Sequence, residues 1–409
     1  MPAPLNEIRV LDLSRVLAGP WSTQLLADLG AEVIKIERPG EGDDTRGWGP
    51  PFLTNADGSR GDAAYYLSTN RGKKSVAVDM AQPAGQSLLR DVARVSDIVV
   101  ENFKVGGLRK FGLDYESLRS VNPRLIYCSI TGFGQDGPYA RRAGYDFMIQ
   151  GMGGIMSVTG LPDGQPGSGP VKCGVAFADI FTGLYATVGI LAALHHRERT
   201  GEGQHIDLAL LDTQVAVLAN QALNYLVGGQ PPPRLGNAHP NIVPYQTFPT
   251  RDGHIIIAIG TDRQFREFCT IAGLASLPDD PRFANNPARV ANREALAAAI
   301  AAAMPARSTA EWVAALEAAA VPCGPINDIA QVFADPHVRK RGLELSRTRP
   351  DGTEVPGLGN PIRFSASPVD TSRAAPRLGA DTRSVLKMLL GLSDSDVDAL
   401  KDDRAIGES

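Results

Sequence analysis

Cysteine is scarce in this 409-residue chain, and the four present, Cys128, Cys173, Cys269 and Cys323, lie far apart with no CxxC pair. That pattern excludes a disulfide framework and a thiolate metal cluster, and reads as reduced, buried thiols in a cytosolic protein. A basic surplus is missing too: the formal net charge is −4, which offers no attractive field to nucleic acid or an anionic membrane. The longest apolar runs are interrupted by charges before bilayer length. The opening Met1-Pro2-Ala3-Pro4-Leu5-Asn6-Glu7 lacks the basic-then-apolar order of a secretion signal. Internal repeats and low-complexity tracts are absent as well. What remains is 43% apolar and 21% charged residues, the balance of a soluble globular protein, here read as cytoplasmic and long enough for two domains.

The first third alternates strands with helices. Strands are expected at Ile8–Leu13, Glu32–Ile36, Ser75–Val78, Asp97–Val100 and Arg124–Ile130, with helices at Trp21–Leu29 and Ala84–Val95 between them. Strands joined by helices of this length imply a parallel sheet covered on both faces, a Rossmann-like layout that binds ligands at the carboxyl ends of its strands. The dinucleotide fingerprint is missing, however. The first strand-to-helix turn, Leu13-Ser14-Arg15-Val16-Leu17-Ala18-Gly19-Pro20, contains no GxGxxG, which argues against a nicotinamide dehydrogenase. A long buried helix is expected at Tyr185–Arg197 and another at Leu208–Leu226, followed by a break at Gly228-Gly229-Gln230-Pro231-Pro232-Pro233. Strands at Tyr245–Phe248 and His254–Ile259 and helices at Arg293–Met304 and Thr309–Ala319 describe a smaller α+β domain, and an amphipathic helix at Thr382–Leu392 follows it. The divisions are residues 1–225, 226–334 and 335–409, the last returning to the large domain.

Asp179 is the residue that calls for a chemical reason. It is a lone carboxylate within Gly174-Val175-Ala176-Phe177-Ala178-Asp179-Ile180-Phe181, just before the apolar stretch Leu184–Leu194. Desolvating a carboxylate is costly, so such a residue is either a helix cap or a working group. Asp is a favoured N-cap, and the two readings are compatible: helix N-terminal amides would keep it ionised while apolar neighbours limit its solvation.

Several further motifs occur in order along the chain: Arg15-Val16-Leu17-Ala18-Gly19-Pro20, Gly30-Ala31-Glu32-Val33-Ile34-Lys35-Ile36-Glu37, Gly42-Asp43-Asp44-Thr45-Arg46, Asn70-Arg71-Gly72-Lys73-Lys74-Ser75, Val100-Glu101-Asn102-Phe103, Ser129-Ile130-Thr131-Gly132-Phe133-Gly134 and Val321-Pro322-Cys323-Gly324-Pro325-Ile326. On these motifs the chain resembles the class III CoA-transferases, the family of formyl-CoA:oxalate and carnitine CoA-transferases. Gly236-Asn237-Ala238-His239 and Ile242-Val243-Pro244-Tyr245-Gln246 are most similar to its succinyl-CoA:glutarate branch.

The resemblance implies that Asp179 attacks an acyl-CoA thioester, dividing acyl transfer into easier covalent steps. It implies no permanently bound cofactor, coenzyme A thioesters as substrates, carboxylic acids as partners, and a homodimer of interlocked rings. CoA contacts carry over to Val16 and Ala18 in the first turn, Arg38 after the second strand, Val78, Asp79 and Met80 along the adenine, and Asn102, Phe103 and Lys110 near phosphate or pantetheine. Lys73 and Lys74 are further phosphate candidates. Arg38 and Lys110 read equally well as ordinary surface charges, and Lys104 either alters the CoA channel or faces water.

Tyr145, in Gly144-Tyr145-Asp146, occupies the position where the acyl-CoA racemases of the superfamily carry a histidine. Tyrosine is poorly suited to general base work at neutral pH, so it argues for transfer; its own role is a hydrogen bond near the acyl group or plain packing. Gly260-Thr261-Asp262-Arg263-Gln264 stands where some relatives carry a glycine run that folds over the nucleophile, with Gln264 in place of the lost polar contact. A dicarboxylate acceptor needs a cation for its distal end, and Arg46, Arg71, Arg142 and His239 are the candidates. The rival readings are a 2-methylacyl-CoA racemase and a noncatalytic acyl-CoA-binding protein.

Overall fold

The computed structural model describes residues 2–408, which divide into two compact units. The larger comprises the chain up to Gly153, Gly174–Val217 and everything from Pro336 onward; the smaller comprises Gly154–Cys173 and Leu218–Asp335. Set beside the expected 1–225, 226–334 and 335–409, the break falls eight residues earlier, and 154–173 joins the smaller unit.

Parallel strands β1 (Arg9–Asp12), β2 (Glu32–Glu37), β3 (Lys74–Val78), β4 (Ile98–Glu101), β5 (Ile126–Thr131) and β6 (His205–Ala209) build the large unit's sheet in the order β3-β2-β1-β4-β5-β6. This is the doubly wound order of nucleotide-binding sheets, whose crevice opens where the winding reverses, between β1 and β4. A two-residue strand, Ile406–Gly407, pairs antiparallel with β3 and covers its free edge.

Period-2 alternation divides the core. Leu11, Ile34, Val76 and Val99 face one side, with Leu88, Leu89 and Val92 of helix α2 (Pro83–Arg94) and Val385 and Leu386 of the helix Thr382–Leu390. Val10, Val33, Val100 and Cys128 face the other, where helix α1 (Ala18–Asp28) and the helices α3 (Asp146–Met152) and α4 (Phe177–Thr200) pack. Helix Thr382–Leu390 stops two residues short of expectation because Gly391 takes the left-handed C′ position, φ 67°.

Three sequence expectations change. First, α4 starts at Phe177, eight residues before Tyr185, so Asp179 lies in its first turn and is not its N-cap; that position belongs to Ala176. Second, Leu208–Leu226 is not one helix. Residues 205–209 are the edge strand β6, Leu210–Ala216 form helix α5, and a new helix, α6 (Ala219–Gly228), starts at Ala219 with φ 46°. The apolar run fits a helical period, but pairing with β5 turns its first part into strand, a choice made by tertiary contacts. Third, α4 does reach membrane-spanning length and apolarity by composition. It serves as a core helix: Ala178, Thr182, Ala186, Ile190 and Ala193 are buried, and Ser22 of α1 shares a hydroxyl hydrogen bond of 3.1 Å with Thr187.

In the smaller unit, antiparallel strands β7 (Tyr245–Pro249), β8 (His254–Ala258) and β9 (Cys323–Pro325) lie in the order β9-β8-β7. Phe248, Ile255 and Ile257 pack there with Phe265 and Phe268 of helix α7 (Asp262–Ile271), Leu296 and Ile300 of helix α8 (Arg293–Ala303), and Trp312 and Leu316 of helix α9 (Thr309–Ala318).

Candidate active site

The first turn is held in a conformation that its sequence disfavours. Val16, β-branched, has φ 68°, which costs on the order of 1–3 kcal/mol unless the surroundings over-determine it. They do so from two sides. Asn102, after β4, accepts from the Arg15 N–H (2.9 Å) and donates to the Arg15 carbonyl (2.7 Å), bridging the winding reversal. Asp43 accepts from the Val16 N–H (3.2 Å). The next residue, Phe103, donates its N–H to Glu101 (2.7 Å), and its ring lies under the Arg15 guanidinium.

Beneath this turn lies a buried network of alternating charge. Lys35 pairs with Asp43 (2.8 Å) and Lys73 with Asp12 (3.0 Å), and none of the four side chains reaches solvent. Lys35 also donates to the Ser14 carbonyl, and Thr23 donates to Asp12. Burial alone would raise the Asp43 carboxyl; the Lys35 ammonium and the bonds from Thr45 overcome it and hold it well below the usual carboxylate range. Burial, only partly answered by Asp12, brings the Lys73 ammonium down to about 8. The basic loop expected to hold phosphate is therefore structural: Lys73 is locked under the first turn, and Lys74 is paired with Glu32 (2.5 Å).

The head of α4 is built the opposite way. Its Ala176 N-cap makes no side-chain cap bond. The cap comes from α3: the Asp146 carboxylate accepts from the Ala178 N–H (2.8 Å) and the Asp179 N–H (3.3 Å), while its other oxygen accepts from Gln150 (2.7 Å). Asp179 is partly buried, and among the described residues no cation pairs with it. Burial first, and the like charge of Asp146 second, push its carboxyl up to about 7. This overturns the expectation that helix amides would stabilise its charge; Asp146 takes them. One turn along α4, Gly183 brings the same face against α1, where a Cβ would stand 2.7 Å from the Ala18 carbonyl oxygen. Asp179, one turn earlier, lies on the α4 face that packs against α1.

Tyr65, in the short helix Ala64–Leu67, was not identified from sequence. Its phenol is raised above the ordinary tyrosine value by burial and by the charges of Asp179, Asp146 and Asp43, and its ring packs edge-on against Trp48 (5.4 Å). No spacing signal marks it, because a four-residue helix has no period to read.

The other expected residues fall as follows. Val16 and Ala18 form the turn itself, and Asn102 and Phe103 flank it. Lys110 is exposed over the Phe111 ring, and Arg38 is exposed and paired with Glu41 (2.9 Å). Lys104 faces solvent. Val78 is buried and points into the core, so only its backbone can meet a ligand; Asp79 and Met80 are half-buried, and the Asp79 N–H donates to Ala405. Tyr145 is 69% exposed, which removes core packing as its role. Gln264 accepts from Gly260 and Thr261 in a capping box on α7, so its side chain is occupied.

Three of the four cations proposed for a distal carboxylate are internally committed. Arg46 is buried against Glu37, Asp62 and Tyr66. Arg71 is bound by Asp28 and the Leu358 carbonyl. His239 accepts the Asn241 N–H on Nδ1, and burial together with Arg293 lowers its pKa, leaving it neutral near pH 7. Arg142 differs: it is exposed, stacked over Tyr139 (4.6 Å) and Phe133 (5.4 Å), and forms no salt bridge among the described residues.

The sequence profile of CoA-transferase family III matches residues 5–382. This chain belongs to that family. The family III chain is 55% identical over 391 residues to the succinate–glutarate CoA-transferase of Agrobacterium fabrum, covering 94% of this chain and 96% of that one. It is 43% identical to the human succinyl-CoA:glutarate CoA-transferase, covering 99% and 88% respectively. Among solved structures it superposes on a CAIB/BAIF family protein from Brucella suis with TM-score 0.84 and 53% identity, covering 95% of this chain and all of that one. As a CoA-transferase it acts on CoA thioesters, and the transferase expectation stands over the binding-protein alternative.

Proposed function

We propose that this CoA-transferase moves CoA from succinyl-CoA to glutarate through covalent states of Asp179. The carrying observation is a partly buried carboxylate at the head of α4 with a raised pKa and, among the described residues, no counter-cation; the names of the relatives support the substrates. An Asp179 oxygen attacks the thioester carbon, the C–S bond breaks, and CoA leaves as thiolate, giving a mixed anhydride. The thiolate attacks the Asp179 acyl carbon, releasing succinate and forming aspartyl-CoA thioester. Glutarate then attacks that carbon, CoA leaves again, and its return to the glutaryl carbon frees the Asp179 carboxylate. Weak hydration favours each attack and limits hydrolysis.

CoA is assigned to the crevice at the winding reversal, with Val16, Ala18, Asn102 and Phe103 at the pantetheine, the backbone of Val78 with Asp79 and Met80 along the adenine, and Arg38 and Lys110 at phosphates. Tyr145 is assigned to the acyl group and Arg142 to the distal carboxylate. A homodimer is supported by the exposed apolar face of α4, where Leu184, Tyr185, Val188 and Leu191 keep 36–63% of their surface in solvent, and a cytoplasmic setting by four free thiols.

The test is a screen of mono- and dicarboxylic acids with succinyl-CoA, together with hydroxylamine trapping and mass spectrometry of the peptide containing Asp179. Glutaryl-CoA formation and a modified Asp179 are expected, and Asp179→Ala should lose at least ~1000-fold in rate. Full activity in Asp179→Ala sinks the mechanism. A carboxyl near pKa 7 also suits proton transfer, which favours the racemase as second reading; α-deuterium incorporation from D2O without an acceptor acid would select it.

A further inference from the structure

The fold arranges an unusual pairing at the head of α4. A carboxylate in the first turn of a helix is ordinarily stabilised by the free N–H groups there. Here those of Ala178 and Asp179 converge on one oxygen of Asp146, at 2.8 and 3.3 Å. The other Asp146 oxygen is fixed by Gln150, one turn along the same helix. Asp146 is thus immobilised from both ends, with its charge directed at the residue whose amide it occupies. The titratable groups facing Asp179 are Asp146 from α3 and the Tyr65 phenol from the short helix 64–67. From α1 the contact on this face of α4 is made by the Ala18 carbonyl and the Trp21 ring. Among the described residues no cation lowers the energy of the Asp179 charge.

We propose that Asp146 is a positioning residue for the nucleophile, which seats the first turn of α4 and, by occupying its amides and opposing its charge, favours the neutral acylated states of Asp179 over the free carboxylate. The argument rests on Asp179 being the nucleophile. Every covalent state of the cycle converts the Asp179 carboxylate into an uncharged anhydride or thioester, while the negative charge leaves on succinate or CoA thiolate. A fixed neighbouring anion in partly desolvated surroundings raises the energy of the charged resting state and leaves the neutral states nearly unaffected. The same force that makes Asp179 harder to ionise therefore drives adduct accumulation. It also explains why the chain supplies the cap from another helix. An acid at N-cap of α4 itself would serve the amides alone, whereas one on α3 serves the amides and faces residue 179.

Asp146→Asn separates the two tasks, since the amide oxygen still accepts the helix N–H groups but carries no charge, and Gln150 can turn its own amide to accept from the new NH2. With succinyl-CoA alone, the trapped Asp179 adduct should fall roughly three- to tenfold at pH 7, and the acidic limb of kcat/KM should move down by about half to one pH unit. Thermal unfolding should stay close to that of wild type. Asp146→Glu restores the charge on a longer stem, so it should keep the acidic limb at the wild-type pH even where the plateau rate drops; this variant decides the matter if Asp146→Asn does not fold. An unchanged limb and adduct yield in Asp146→Asn, or a limb in Asp146→Glu that moves down, overturns the proposal. Asp179→Ala is run alongside. If it still transfers CoA, the nucleophile assignment has failed; if it is inactive while Asp146→Asn behaves as wild type, only the role of Asp146 has.

Discussion

The carboxylates beneath the first turn, fully buried, and those at the head of α4, partly buried, belong to the same unit, yet the fold treats them in opposite ways. Asp12 and Asp43 each have a lysine within 3.0 Å and hydroxyl or amide donors besides. Among the described residues Asp179 and Asp146 have no such cation; Asp179 faces Asp146 and the Tyr65 phenol, and the helix N–H groups go to Asp146. The first arrangement locks a strained backbone in place. The second keeps one carboxylate in a high-energy state. Carboxylates matched by a cation suit a scaffold, and one left without a cation beside a ligand crevice is a candidate reactive group.

The largest effect is expected from breaking the compensated side. Lys35→Met leaves Asp43 buried and unpaired and should cost about 3–5 kcal/mol in urea unfolding; a loss under ~1 kcal/mol would mean the network is not structural. The uncompensated side should respond with the opposite sign. The Asp179 carboxyl sits above its unfolded value, so the folded state binds more protons between about pH 4 and 7, and stability falls as pH rises through that window. Asp179→Asn removes this, and should be more stable than wild type by about 1–2 kcal/mol at pH 8, with the difference gone below pH 4. Wild-type kcat/KM should rise with pH over the same range, half-maximal near 7. The smallest effect sharpens the contrast among the arginines. Arg142→Ala should raise KM for glutarate about tenfold and leave a monocarboxylate acceptor nearly unchanged, whereas removing the buried Arg46 or Arg71 should lower stability first. Equal changes for both acceptor types would return Arg142 to the solvated surface.

Most of the sheet is legible because its first strands are apolar runs alternating with helical segments, and Asp179 stands out because an ionisable group among apolar residues needs a reason. Lys73 and Arg46 misled for a single cause: a cation in a glycine-bearing motif looks the same whether it meets phosphate or an internal carboxylate. Their partners Asp12, Glu37 and Asp62 lie between nine and 61 residues away in sequence and meet them only in the fold. Strand β6 leaves little trace in the sequence, because its edge pairing with β5 is a long-range contact and its last two residues, Leu208 and Ala209, run into an apolar helical pattern; Tyr65 leaves no pattern at all.

Local order along the chain thus determined the alternating α/β plan, the family and the candidate nucleophile, since periodicity, turn residues and motif order are one-dimensional properties. Tertiary structure alone decided which charges are free. Whether an aspartate is a cap, a counter-ion or a nucleophile depends on which groups stand within a few ångströms of it, and α3 brings Asp146 to Asp179 across 33 residues of chain.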